Sequence, residues 1–139
     1  MTTEELLKQQ QATDEENNSA VQAYKRNNLH IESKIKLVEA LYEGILRFNS
    51  NLIKAIEEND VEAKVEWANK SSSIFIELMN ALDMDSEGTI AQYLQGLYSQ
   101  QLQYLFEANR DNDIEKVELV NKVVRGLLEA WREVAFEQK

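Results

Sequence analysis

The sequence predicts an all-α protein: an antiparallel up-down-up-down four-helix bundle preceded by a polar N-terminal arm or short helix. Three observations carry that prediction. The 139 residues include no proline and only four glycines, too few turn-formers for a β-rich chain of this size. Apolar residues recur at three- and four-residue spacing through four long segments. The connections between those segments span about two to six residues, short enough to force antiparallel neighbours.

The chain opens on TTEELLKQQQ, where Thr2 and Glu5 have the spacing of a capping box for a short helix. ATDEENNSA then interrupts it with small polar residues that favour turns. The next stretch restores a few apolar side chains, Val21, Tyr24, Leu29 and Ile31. Residues 1–32 therefore read as a flexible arm, with 21–32 lying on the body, and 33–139 as the bundle. The first bundle helix is expected from about Lys34 to Glu58, with Ser33 as N-cap and Asn59-Asp60 as the stop and next cap. The second runs from about Val61 to Leu82, closed by DMDSEG with Gly88 as breaker. The third covers about Thr89 to Ala108. The fourth covers about Ile114 to Phe136, capped by Asp113.

Hydrophobic residues make up 43% of the chain and mean hydropathy is −0.51, the balance of a soluble protein with a real core. No apolar run approaches the roughly 20 residues of a membrane span, and the acidic N-terminus resembles neither a signal nor a transit peptide. The absence of cysteine fits a cytoplasmic location. The net charge of −10 repels phosphate backbones and anionic lipid, so neither nucleic acid nor membrane insertion is expected.

The apolar faces are wider than a single neighbour requires. In the first helix Ile35, Leu37, Val38, Leu41, Tyr42, Ile45, Leu46 and Phe48 cover about half the circumference at about 100° per residue, where an ordinary surface helix needs a stripe of about 100°. The third helix carries a core stripe of Ile90, Tyr93, Leu94, Leu97, Gln101, Tyr104 and Ala108, beside a second row of Ala91, Tyr98, Leu102, Leu105 and Phe106. In the fourth, Ile114, Val117, Val120, Val124, Leu127, Leu128 and Trp131 form the core stripe, flanked by Leu119, Val123, Ala130 and Val134. The extra rows either pack at the corners of the bundle or line a groove for a partner helix, and periodicity alone does not separate the two. Tyr98, Leu102, Phe106, Leu119 and Val123 are the candidate groove residues. Trp131 reads as packing, and Trp67 lies at the edge of its helix's face.

Catalytic chemistry finds no footing. The chain has one histidine, His30, and no Glu-x-x-His, which excludes the paired ligands of a di-metal carboxylate bundle. With no cysteine a conventional zinc site is excluded too. DMDSEG alternates acids but lacks the length and ligand set of a calcium loop. The glycines are single and scattered, so no phosphate cradle forms, and no nucleophile motif is present. The expectation is a binding protein with no cofactor and no metal.

The run AYKRNNLHIESKIKLVEALYEGILRFNSNLIKAIEEND resembles the start of the flagellar secretion chaperone FliS family. Ala23 and Tyr24 match its arm, Ser33 and Leu37 its cap, and Leu41, Tyr42, Glu43 and Gly44 its Leu-Tyr-Glu-Gly helix. IFIELMNALDMDSEGTIAQYLQGLY resembles the family's second loop and third helix, with Leu78, Leu82, Gly88, Ile90, Ala91, Leu94, Leu97 and Tyr98 in register. GLLEAWREV, with Leu128 and Trp131, resembles its last helix. Lys34 stands where the family's cap has proline, Glu87-Gly88 replaces a Gly-Gly loop, and extra polar residues precede the arm. The resemblance covers about residues 23–135. It implies a cytoplasmic chaperone, a monomer or weak homodimer, whose partner is the C-terminal segment of flagellin, with an export-gate component or co-chaperone as a further partner. It also implies that the arm covers the client site, and Val21, Tyr24, Leu29 and Ile31 are the residues expected to shield the groove. The rival expectation is a helical-bundle adaptor or assembly factor for another secreted flagellar protein.

Overall fold

The computed structural model describes the backbone of residues 2–8, 19–85 and 88–137, and side chains at 2–8, 34–85 and 90–136. Among these residues the regular elements are all helices: α1 over residues 3–8, α2 (Ser19–Glu57), α3 (Val61–Asn80), α4 (Gly88–Asp111) and α5 (Ile114–Glu137). It divides into two compact units, Met1–Lys36 and Leu37–Lys139.

In the first unit the Thr2 hydroxyl accepts the Glu5 N–H at 3.2 Å, while the Glu5 carboxylate accepts the Thr2 N–H at 3.4 Å. This is the reciprocal cap that the Thr-x-x-Glu spacing predicts. The expected helix start at Lys34 is corrected: α2 is helical from Ser19, and Ser33 lies inside it rather than capping it. Residues 19–33 contain neither glycine nor proline, so nothing in them terminates a helix once one is running. Val21, Tyr24, Leu29 and Ile31 belong to this backbone; their side chains lie outside the described residues.

In the second unit, two of the three connections use one device. Asn59 and Asn112 adopt positive φ, 57° and 55°, a conformation asparagine tolerates better than most residues. The next N–H closes back on the preceding helix, Asp60 to the Ala55 carbonyl at 2.9 Å and Asp113 to the Ala108 carbonyl at 3.1 Å. That is the long bond of a Schellman stop, with an aspartate poised before the next helix. Asp60 goes on to cap α3, its carboxylate accepting the Ala63 N–H at 3.1 Å, as the sequence predicts. Lys64 Nζ donates to Asn112 Oδ1 at 2.8 Å, so both turns lie at one end of the bundle, as alternating directions demand. The third connection departs from expectation. α3 ends at Asn80, and Gly88 opens α4 rather than closing α3. α4 also runs past Ala108 to Asp111, and the chain turns at Asn112.

Pairing across helices confirms the antiparallel bundle. Arg132, late in α5, bonds Glu39 and Glu43 of α2, whereas Asn121, earlier in α5, bonds Asn49 further along α2. The core draws on α2, α3, α4 and α5, with Ile45, Leu52, Phe75, Leu105, Val117, Val120 and Val124 fully enclosed. Phe75 of α3 lies 6.0 Å from the Tyr98 ring of α4, and Phe48 of α2 lies 5.6 Å from Trp67 of α3, within the range of favourable aromatic pairs.

A polar layer crosses this core at mid-height, one residue from each helix: Asn49, Ser71, Gln101 and Asn121, all buried. Ser71 donates to Asn49 Oδ1 at 2.6 Å, and Asn49 donates to Asn121 Oδ1 at 2.8 Å. Gln101 Nε2 bonds the Leu97 carbonyl at 3.1 Å, while its Oε1 has no partner among the described residues. Such a layer fixes the register of the helices, because a slip of one turn would bury each amide against hydrocarbon without its partner.

Candidate partner-binding surface

The face of α4 that enters the core matches only part of the stripe the sequence suggests. Ala91, Tyr98, Gln101, Leu105 and Ala108 are buried, with Leu94 partly so. Their spacing of three and four residues is a true inner seam. Ile90 and Tyr93, expected in the core, are 66% and 69% exposed. The core face is turned by about 60°, at about 100° per residue, from the expected stripe, and Leu94, Gln101 and Ala108 belong to both. Tyr98 is accordingly corrected from groove to core: it is 2% exposed, and its hydroxyl meets that of Tyr42 at 2.7 Å. Burial pushes the Tyr42 hydroxyl above its ordinary pKa, partly offset by the bond to Tyr98.

The remaining groove candidates fall on two sides of α4. The ion pair between Glu107 and Lys116, at 2.7 Å, marks where α4 and α5 turn toward each other. Counting helical turns back from Glu107 brings Tyr104, Gln100, Leu97 and Tyr93 to that side. Counting forward from Lys116 brings Leu119, Val123, Leu127, Ala130 and Val134. Leu119 is 48% exposed, Val134 is exposed, and Val123 is half-buried. Phe106 and Leu102 lie on the other side of α4, following Tyr98 toward α3. Phe106 is 59% exposed, with the Arg110 guanidinium 5.7 Å above its ring. Helical spacing thus puts Leu119 and Val123 on the side of α5 next to α4, and Leu102 and Phe106 on the opposite side of α4.

The chemistry of the two sides of α5 differs. Toward α2 it is charged: Arg132 spans Glu39 at 2.8 Å and Glu43 at 2.7 Å, bonds that raise the guanidinium pKa above its ordinary value. Toward α4 the seam is apolar and closed only at its end. There Lys116, and after it Gln103, hold the Glu107 carboxyl below its usual range, and the same ion pair raises Lys116. Residues 88–106 contain no Asp, Glu, Lys or Arg, although 29% of the chain is charged. Among the described residues no three His, Cys, Asp or Glu side chains gather where a metal could bind. No described helix is long and apolar enough to cross a membrane. What this arrangement can do is bury another apolar surface.

An uncharged apolar face on a helical bundle is the kind of surface that can accept a partner. Comparison with known proteins gives the family. The profile described as flagellar protein FliS matches residues 16–139. The flagellar secretion chaperone FliS of Campylobacter jejuni is 47% identical over 119 residues, covering 86% of this chain and 93% of the relative. That of Salmonella typhimurium is 32% identical over 127 residues, covering 84% and 90%, and that of Bacillus subtilis 29% over 117 residues, covering 84% and 86%. The chain belongs to the FliS family of flagellar secretion chaperones, which are not enzymes.

Proposed function

We propose that this chaperone binds the C-terminal helical segment of flagellin in the cytoplasm, prevents its premature polymerisation and delivers it to the flagellar export apparatus, the handover engaging an export-gate component or co-chaperone. The observation that carries this reading is the pair of outward apolar rows flanking α4, Leu102 with Phe106 on one side and Leu119 with Val123 on the other, on a surface otherwise rich in charge. A segment that is unstructured when free can lay amphipathic helices along both rows. Ordering it costs on the order of 2–5 kcal/mol of the gross interaction, which a long wrapped interface offsets.

In this reading residues 1–32 act as an arm of the domain formed by 33–139, and Val21, Tyr24, Leu29 and Ile31 shield the groove before the client arrives. The chaperone works as a monomer or weak homodimer. Deletion of residues 1–32 is expected to raise client affinity or increase binding of an apolar reporter dye; identical affinity and dye binding would remove the shielding role.

The test of the function is titration calorimetry with roughly the last forty residues of flagellin from the same organism, joined to circular dichroism. One-to-one binding with a negative heat-capacity change and a gain of helix is the expected signature of coupled folding. Absence of heat and of helix gain at high micromolar peptide overturns flagellin as client. The same titration with segments of other exported flagellar proteins then identifies the adaptor alternative.

A further inference from the structure

The polar layer in the core is incomplete at α4. Ser71 and Asn121 both bond Asn49, so side chains join three of the helices. Gln101 is fully buried as well, yet its Nε2 donates to Leu97 of its own helix, and its Oε1 has no partner among the described residues. The Leu97 carbonyl only accepts, which sets the amide with its nitrogen there and leaves its oxygen to another donor. Two independent contacts put Gln101 at the level of the layer. Phe75 meets Tyr98, and four residues back along α3 to Ser71 correspond to four on along α4, at Leu102. Lys116 meets Glu107, and five residues on along α5 to Asn121 correspond to five back along α4, again at Leu102. Gln101 is one residue, about 1.5 Å of helix, from that point.

We infer that the core binds one internal water molecule, which donates to Gln101 Oε1 and joins α4 to the chain of Ser71, Asn49 and Asn121. A buried water needs two to four polar partners, and this level of the bundle carries them. Asn49 uses one of its two amide hydrogens on Asn121, and the Asn121 amide nitrogen donates in neither bond of the layer. Either group has a hydrogen for the water oxygen. Ser71 Oγ, which donates to Asn49, keeps its lone pairs for the second hydrogen of the water. Ser71 also supplies the room. It is smaller than Phe75, one turn on and likewise fully buried, by more than the ~30 Å³ share of a water molecule. Asn121 and Gln101, both buried at one level, do not bond each other directly. Side chains thus tie α2, α3 and α5 together in the layer, while an exchangeable molecule ties α4.

Oxygen-17 relaxation dispersion of the solvent, recorded on the full chain, tests this, because it reads trapped water and ignores exchanging protein hydrogens. The parent is expected to show long-lived water. Gln101→Met, close in size and without the acceptor oxygen, is expected to lose about one molecule's worth of that amplitude. NMR of the parent alone supplies a second reading that does not depend on the variant folding. A water cross-peak is expected at the Gln101 side-chain amide hydrogens, with the sign of direct dipolar contact. Equal dispersion in parent and Gln101→Met, or a parent without that cross-peak, overturns the inference. Protection of the Asn121 side-chain amide with no water contact at Gln101 shows a dry closure, in which the two side chains bond directly, and overturns it as well.

Discussion

The two edges of α5 solve opposite problems with one helix. Toward α2 it presents Arg132 and Asn121, which engage Glu39, Glu43 and Asn49. Toward α4 it presents aliphatic side chains opposite a helix face without charge, with one ion pair, Lys116 to Glu107, at the end of the row. The first edge is saturated by partners from within the chain. The second exposes apolar surface that no described residue covers fully, Tyr93 and Leu119 above all. An acidic protein that must stay soluble and still hold an apolar helix has to segregate the two tasks, and here the division runs along α5. The absence of charge, more than the presence of hydrophobic side chains, distinguishes the second edge.

That contrast can be broken most forcefully on α4, where two tyrosines five residues apart sit on opposite sides. Tyr98→Ala should lose about 3–5 kcal/mol of unfolding free energy, the range for truncating a buried aromatic. Tyr93→Ala should stay within about 0.5 kcal/mol, as exposed substitutions do, while weakening flagellin-segment binding. Urea unfolding of the two variants reads both numbers, and a similar loss from each would mean that α4 is set differently in the bundle.

Next in size is the polar layer. Asn49→Ala leaves Ser71 and Asn121 without their shared partner and should cost about 1–3 kcal/mol, with client affinity unchanged at concentrations where the chain is folded. Loss of the Asp60 cap in Asp60→Ala should cost about 1 kcal/mol, again measurable in urea and again silent in binding.

Acid titration gives a smaller effect, with a defined sign. Glu107 and Asp111 are held below their ordinary values of 4.5 and 3.8, chiefly by hydrogen bonds from Lys116 and Arg110. A depressed carboxyl binds its proton less readily in the folded state, so its contribution is complete above the ordinary value and is lost as the pH falls through the lower, folded one. Stability should therefore be flat from neutrality to about pH 5, then decline. Lys116→Ala should make that decline shallower. The smallest effect belongs to Arg132→Ala on the charged edge, half-exposed and open to solvent screening. Its melting temperature should shift by less than that of Asp60→Ala, and its client affinity should match the parent.

The same contrast explains what was legible in the sequence. α5 was read correctly because Glu, Lys and Arg mark its solvent side and leave Val117, Val120, Val124 and Leu128 as the inner row. Asp60 as a cap, and Thr2 with Glu5, follow from local chemistry that tertiary packing does not override. The expected core stripe of α4 is offset by about 60° from the inner row because apolar side chains surround most of the helix while its polar ones up to Phe106 are uncharged. With no ionised residue from 88 to 106, periodicity alone set the rotation, and it chose the wider row over the inner one. That error sent Tyr98 to the surface and Tyr93 to the core. The feature that hides the core face of α4 is therefore the one that marks its outer face for a partner. The start of α2 was missed for a simpler reason: residues 19–33 contain no breaker, and serine inside a helix looks in sequence like serine before one.

Backbone amide and methyl NMR of the full chain, recorded while the flagellin segment is added, tests the division of surfaces most directly. The account predicts the largest shifts and new protection at Tyr93, Leu97, Leu119 and Val123, with Glu39, Glu43 and Arg132 nearly still. Perturbation centred on the charged α2–α5 edge, with the α4–α5 seam unchanged, would contradict it.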